Sequence, residues 1–324
     1  MSHEFTQRLA LSRHAIDRQA HRRNEPELMD ELKADAATRV IALAGGKALL
    51  REGVLATFTV HDLASRVDFD TAFVLFLGVS TVEAPGEPSG TPFLAVELSE
   101  DQADLLSDDG TAWADLRVVG GDLGDRDAGL FTQALALANW HRSHPHSPRN
   151  GEKTTSGQHG WVRHPHDDEK AQVFPRTDAA VIVLITDDDD RLLLGNNAMW
   201  EKNRYSLLAG YVEPGESLES AVIREVFEES GLTVVNPTYV GSQPWPFPAS
   251  LMLGFTARIA PGTNPNATIA DGEEILSLRW FTRDELRSSI DEIILPGPVS
   301  IARALIEKWL GEEFPQGDAW AAGR

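Results

Sequence analysis

The 23 residues from Gly210 to Leu232, GYVEPGESLESAVIREVFEESGL, constrain this chain more than any other stretch. They set a glycine, then Glu216, then Arg224-Glu225, then Glu228-Glu229 and Gly231, with bulky apolar residues at Val226 and Leu232. Glu225, Glu228 and Glu229 are spaced by three and four residues, so on a helix they share a face. At about 100° per residue, Glu229 falls between Leu218 and Val222, two apolar residues that should face inward. An ordinary acidic stripe would lie opposite them. Here the carboxylates lie on the half-buried side, where an unpaired charge is expensive. A hard divalent cation relieves that cost, because Mg2+ and Mn2+ prefer oxygen ligands. Ser217 is placed to cap the helix, Pro214-Gly215 bends the chain before it, and Gly231 can end it. Arg224 is expected to pair with a carboxylate, with Glu216 the candidate, and so to fix the loop to the helix.

The rest of the chain reads as two regions joined by a polar stretch. Ala72 to Val79 and Pro92 to Leu98 are short apolar runs bounded by turn formers and read as strands. Leu116 to Val119 reads as a weaker strand. Gly45-Gly46 and Gly120-Gly121 read as turns. Asp127 to Trp140 has helical apolar spacing, with Asp127 as a possible cap. From His141 to Gln172 the chain is rich in His, Pro, Gly and Ser and reads as a loop or a small irregular subdomain. An apolar strand starts at Ala179. The acidic turn Asp187–Asp190 follows, then a second strand at Arg191–Leu194. Strands are expected near Thr238–Gly241, Ser250–Ile259 and Leu278–Thr282, and a helix over Val299–Leu310. No internal repeat with matching motifs is visible.

Composition narrows the function. At 324 residues and 42% hydrophobic content, the chain has room for two domains, each with a core. No apolar run reaches the roughly 18 residues of a membrane helix. The N-terminal segment has no apolar core followed by a cleavage site, so a cytoplasmic location is expected. With no cysteine, disulfides and thiolate metal sites are excluded. A net charge of −21 argues against long-range attraction to nucleic-acid phosphates. A phosphate substrate would then be held by local cations or metal ions.

The Gly210–Leu232 stretch fills every position of the box G-x5-E-x7-R-E-U-x-E-E-x-G-U and resembles the Nudix hydrolase family. About ten residues later, Ser242 to Ser250 read SQPWPFPAS, which is similar to the signature of NADH pyrophosphatases of the NudC type, a group that also removes NAD caps from RNA. The matching signatures cover about residues 174 to 303. The resemblance implies an α/β fold: a Nudix α/β/α sandwich with a mixed sheet, preceded by a smaller mixed α+β N-terminal domain and a ribbon-like linker. The implied boundaries are residues 1–137, linker 138–175, Nudix domain 176–313 and a tail 314–324. It implies Glu225, Glu228, Glu229 and Glu274 as catalytic residues. Glu225, Glu229, Glu274 and the carbonyl of Ala209 are implied as metal ligands, although Glu273, beside Glu274, could take its place. Gln243, Pro244, Trp245, Pro246, Phe247, Pro248, Ser250 and Ala302 match positions lining the substrate pocket. Phe174 and Tyr211 match aromatic positions that stack on the nicotinamide-side base. The family forms homodimers.

One departure lies in the linker, where relatives carry four cysteines on a structural zinc. Ser147 and Asn150 occupy the first pair, and the second falls around Pro165 to Asp168. Structural zinc is therefore not expected. His141, His144, His146, His159, His164 and His166 cluster in this stretch; His and Asp can ligate zinc, so a replacement site stays open, although the spacing follows no standard pattern. The expected reaction is Mg2+- or Mn2+-dependent hydrolysis of the pyrophosphate of NADH or NAD+ to AMP and nicotinamide mononucleotide, with removal of NAD caps from RNA as a secondary activity. Glu274 or Glu228 would serve the attacking water. The alternatives are another nucleoside diphosphate derivative, such as ADP-ribose or a dinucleoside polyphosphate, and a nucleotide sensor without hydrolysis.

Overall fold

The computed structural model describes residues 2–314, so the expected tail beyond Phe314 lies outside the described residues. Internal packing divides the chain into two units. The first comprises Arg13–Thr177 and Trp245–Ala249; the second comprises the chain up to Ser12, Asp178–Pro244 and the residues from Ser250 onward.

The chain opens with α1 (Ser2–Arg8), part of the second unit. The first unit then carries β1 (Ile16–Asp17), α2 (Leu28–Ala34), β2 (Arg39–Ala44), β3 (Lys47–Arg51), β4 (Val54–Leu55), β5 (Thr57–Phe58), α3 (Val60–Leu63), β6 (Val74–Ser80) and β7 (Pro92–Glu97). α4 (Glu100–Leu106), β8 (Thr111–Ala114), α5 (Leu116–Val119), α6 (Asp125–Ser143) and a hairpin of β9 (Thr154–Gly157) and β10 (Val162–Pro165) follow. The main sheet runs β1-β6-β7-β2-β3-β4, with β5 beside β2 and β8 beside β3. Strand β2 is parallel to β7; the β6–β7 and β2–β3 pairs are antiparallel. Leu28 and Leu32 of α2 and Leu63 of α3 pack with Val40, Phe76, Leu94 and Val96 in one core. The expected strand at Leu116–Val119 is corrected: it is the helix α5. Asp115 Oδ1 accepts the Arg117 N–H at 2.8 Å, and that cap outweighs the strand preference of two valines.

In the second unit come β11 (Asp178–Thr186), β12 (Leu192–Asn197), β13 (Leu208–Tyr211), α7 (Leu218–Ser230), β14 (Val234–Trp245), β15 (Ser250–Ile259), β16 (Ile275–Phe281), α8 (Arg283–Ser288) and α9 (Ile301–Leu310). The sheet order is β14-β15-β11-β12-β16, with β13 beside β11. Strand β11 is parallel to β15 and antiparallel to β12 and β13. Its continuous apolar run reflects burial on both faces. Ile182 and Leu184 point into one core with Ile301, Leu305 and Ile306 of α9. Val181, Val183 and Ile185 point into the other with Ala221, Val222 and Val226 of α7. One helix layer on each face of a mixed sheet makes an α/β/α sandwich, as expected.

The two sheets share one topology. β6-β7-β2-β3, with β5 on β2 and β8 on β3, follows the same path as β14-β15-β11-β12, with β13 on β11 and β16 on β12. The repeat is one of fold and not of motif. After β13 comes the 13-residue α7; after β5 comes the four-residue α3.

Candidate active site

Strand β13 places Ala209 opposite Ile182 and Gly210 opposite Val181 of β11. The chain then bends and enters α7, where Ser217 Oγ accepts the Ser220 N–H at 3.1 Å. Gly231 closes the helix in the left-handed conformation, φ 69°. Because Ala221, Val222 and Val226 lie on the sheet, the helix turns Glu229 inward until it is 4% exposed. Gly210 leaves room for the Glu225 carboxylate: a Cβ there would sit 2.0 Å from the Glu225 carboxyl carbon and push that side chain aside. Arg224 joins the parts. It donates to both Glu216 oxygens at 3.1 and 2.5 Å and to the Tyr211 carbonyl at 2.9 Å. It also pairs with Glu225 and Glu228, each at 2.9 Å. The expected Arg224–Glu216 clamp is present, and hydrogen bonds from Arg224 and from the Glu213 N–H hold the Glu216 carboxyl below its usual range.

The carboxylates bear on one another. Burial, then repulsion from Glu225, Glu274 and Asp271, pushes the Glu229 carboxyl up to about 8, against a bond from the Ala209 N–H. Burial also raises Glu225, offset in part by Arg224. Glu229 Oε2 is buried without a hydrogen-bond partner. A buried oxygen with no donor among several negative charges suits a hard cation. Among the described residues no three His, Asp or Glu side chains already converge on one metal position. Glu225 is held by Arg224, and Glu274 is exposed on the loop before β16. Glu228 is half-exposed on Arg224.

The other expected residues divide. Tyr211 is exposed, and its hydroxyl meets Ser250 Oγ at 3.0 Å. Gln243 is fully buried: its Oε1 accepts the Leu11 N–H at 3.3 Å and its Nε2 donates to the Val299 carbonyl at 2.9 Å. Ala302 is buried in the α9 core, and Pro244 is half-buried at the end of β14. Phe174, exposed, and Trp245 to Pro248 belong to the first unit. There Asn139 Nδ2 donates to the Pro246 carbonyl at 2.8 Å, and the Arg117 guanidinium lies 3.8 Å from the Phe247 ring centre. Sequence reasoning missed Asp271, whose charge acts on Glu229. Its signal was the Asp-Gly turn pair ahead of a strand.

The linker histidines go separate ways. His141, on α6, meets the Gly160 carbonyl through Nε2 at 2.8 Å and Arg163 Nη1 through Nδ1 at 2.7 Å. Arg163 also donates to the Thr154 hydroxyl and carbonyl, both at 2.7 Å, tying β10 to β9. His159 Nε2 lies 2.9 Å from the Glu25 carbonyl, and His164 Nδ1 lies 2.9 Å from the Pro165 carbonyl. Ser147 and Asn150 accept the N–H groups of Arg149 and Glu152, at 3.3 and 3.2 Å, in the turn that precedes β9.

A loop and helix bearing inward carboxylates on a mixed α/β/α sandwich define a Nudix domain. Residues 175–298 match the NUDIX domain, and residues 37–140 match an NADH pyrophosphatase-like rudimentary NUDIX domain, in agreement with the shared topology. The NAD-capped RNA hydrolase NudC of Salmonella typhi is 38% identical over 189 residues, covering 56% of this chain and 68% of that protein. That of Mycobacterium bovis is 42% identical over 205 residues, 60% of this chain, and the match spans 64% of the mycobacterial protein's own length. A solved NUDIX hydrolase from Nitrosomonas europaea covers 53% of this chain and 97% of its own at 20% identity and TM-score 0.36. The chain belongs to the Nudix hydrolase family, in the group that pairs a rudimentary NUDIX domain with a complete one.

Proposed function

We propose that this protein hydrolyses the pyrophosphate of NADH and NAD+ to AMP and nicotinamide mononucleotide, and that it removes NAD caps from RNA. The observation that carries the reaction is the buried, partnerless Glu229 oxygen among Glu225, Glu274 and Asp271. The name shared by the relatives supports the substrate. Glu225, Glu229, Glu274 and the Ala209 carbonyl would hold Mg2+ or Mn2+. Such a cation supplies charge neutralisation for the diphosphate and polarises the bond to be cut. Water adds to one phosphorus, the P–O–P bridge breaks, and two phosphate monoesters leave. Glu228 or Glu274 orients that water and takes its proton. Arg224 keeps the box loop in register with the helix. Tyr211, fixed by Ser250, offers an exposed ring for base stacking, and Phe174 is a second candidate.

The test is chromatography of products after incubating the protein with NADH and Mn2+, with and without EDTA. AMP and reduced nicotinamide mononucleotide that appear only with metal support the proposal. Cleavage of ADP-ribose but not NADH discards the substrate and keeps the chemistry; no cleavage of either favours a sensor.

A further inference from the structure

We propose that Asp271 is a positioning residue that sets Glu274 against the carboxylates of α7. The proposal rests on the reading of Glu274 as a member of the metal-binding set. Asp271 Oδ1 accepts three successive backbone N–H groups, from Glu273 at 3.1 Å, Glu274 at 3.1 Å and Ile275 at 2.8 Å. Its Oδ2 takes a second bond from the Glu274 N–H at 3.3 Å. On the other side, the Glu274 carbonyl accepts the Ala198 N–H at 2.8 Å. The next residue, Ile275, is 5% exposed and packs into the core beneath α7. Glu274 is thus fixed at its N–H, its carbonyl and its following side chain, while its own carboxylate stays in solvent. A charged group free at its tip on backbone held this firmly is built to be presented.

Asp271 lies near enough to act on Glu229, and a direct ligand role would be the rival reading. The hydrogen bonds decide against it. Oδ1 is already shared among three donors and Oδ2 takes a fourth bond. The carboxylate serves the turn.

The experiment compares Asp271→Ala, Asp271→Asn, Asp271→Ser and Glu274→Gln in the full chain. NADH turnover is followed across a Mn2+ titration, and free Mn2+ is read directly by electron paramagnetic resonance. Asparagine keeps the Oδ1 acceptor and loses the charge; serine keeps one weaker acceptor. Asp271→Ala is expected to raise half-saturating Mn2+ by about 10-fold or more, as outer-shell losses do, with the KM for NADH moved less than about 3-fold. Asp271→Asn should stay within about 3-fold of the parent, and Asp271→Ser should fall between. If Asp271→Ala fails to fold, the serine variant carries the same comparison. The proposal is overturned if Asp271→Ala binds Mn2+ like the parent, or if Asp271→Asn loses as much as Asp271→Ala. A parent-like Glu274→Gln would sink the reading of Glu274 itself, separately from the turn.

Discussion

Acid should loosen the β9–β10 hairpin through one histidine. His141 is 6% exposed, and its Nδ1 accepts from Arg163 while Nε2 faces the Gly160 carbonyl. Those partners require the neutral ring with its proton on Nε2. Burial, with the Arg163 charge beside it, pushes His141 from 6.5 down to about 4, against the Gly160 bond. The unfolded chain therefore takes a proton first as pH falls. The stability is fully present above about 6.5, is lost on the way down to about 4, and changes no further below that. From these two values the loss is about 1 kcal/mol at pH 5.5 and about 2 kcal/mol at pH 5. For a unit of this size that is a fall in melting temperature of about 4–8 °C between pH 7 and pH 5. Other carboxylates titrate in the same range, so the measurement is a difference. His141→Gln keeps a donor and an acceptor without a titrating ring. Hydrogen exchange of peptides spanning residues 154–165, with thermal unfolding from pH 7 to pH 4.5, should show a steeper acid loss in the parent than in the variant. Equal slopes would refute the reasoning, even if the variant were less stable at every pH.

Further outcomes follow from the box. Arg224→Lys replaces a planar fork with a point charge and should lower metal-dependent NADH turnover by roughly 10-fold or more, read at saturating Mn2+. Gly210→Ala should displace the Glu225 carboxylate and cost about 100-fold in turnover while circular dichroism stays unchanged. Gln243→Leu strands the Leu11 N–H and the Val299 carbonyl, so it should destabilise the protein by about 1–3 kcal/mol in a urea melt. A large rise in the KM for NADH with unchanged stability would instead make Gln243 a substrate contact.

The sequence disclosed most where local chemistry and burial agreed. The strand from Ala179 is an apolar run because both faces are covered, and the Gly210–Leu232 helix has caps and an apolar stripe that fix its rotation. It disclosed less where long-range packing decides. The Gln243 amide spans Leu11 and Val299, residues far from it in the chain that no local pattern connects to it. Nothing in the first twelve residues announces that they pack with the second unit. Leu116–Val119 shows a single cap overruling a short apolar run. The shared topology of the two sheets was invisible because it lives in strand pairing, which tolerates wide changes of sequence.

That shared topology separates what the strand path supplies from what the box supplies. Each fixed position does something different. Gly210 makes room for Glu225, Glu216 anchors Arg224, Val226 and Leu232 are buried, and Gly231 turns the chain out of the helix. Together they let a 13-residue helix hold Glu229 in the interior. The first unit has the same strand path, but the segment after β5 is a four-residue helix. Its acidic residue, Asp62, is spent on the Thr59 N–H as part of a capping box. The strand path alone therefore does not place carboxylates on a helix as the box does. The chemistry depends on the helix being long enough to carry a carboxylate past the last apolar contact and back against β13, and on an arginine to hold the loop beneath it. In the first unit the helix that directly follows β5 has only four residues, and its Asp62 stays at a helix cap in solvent.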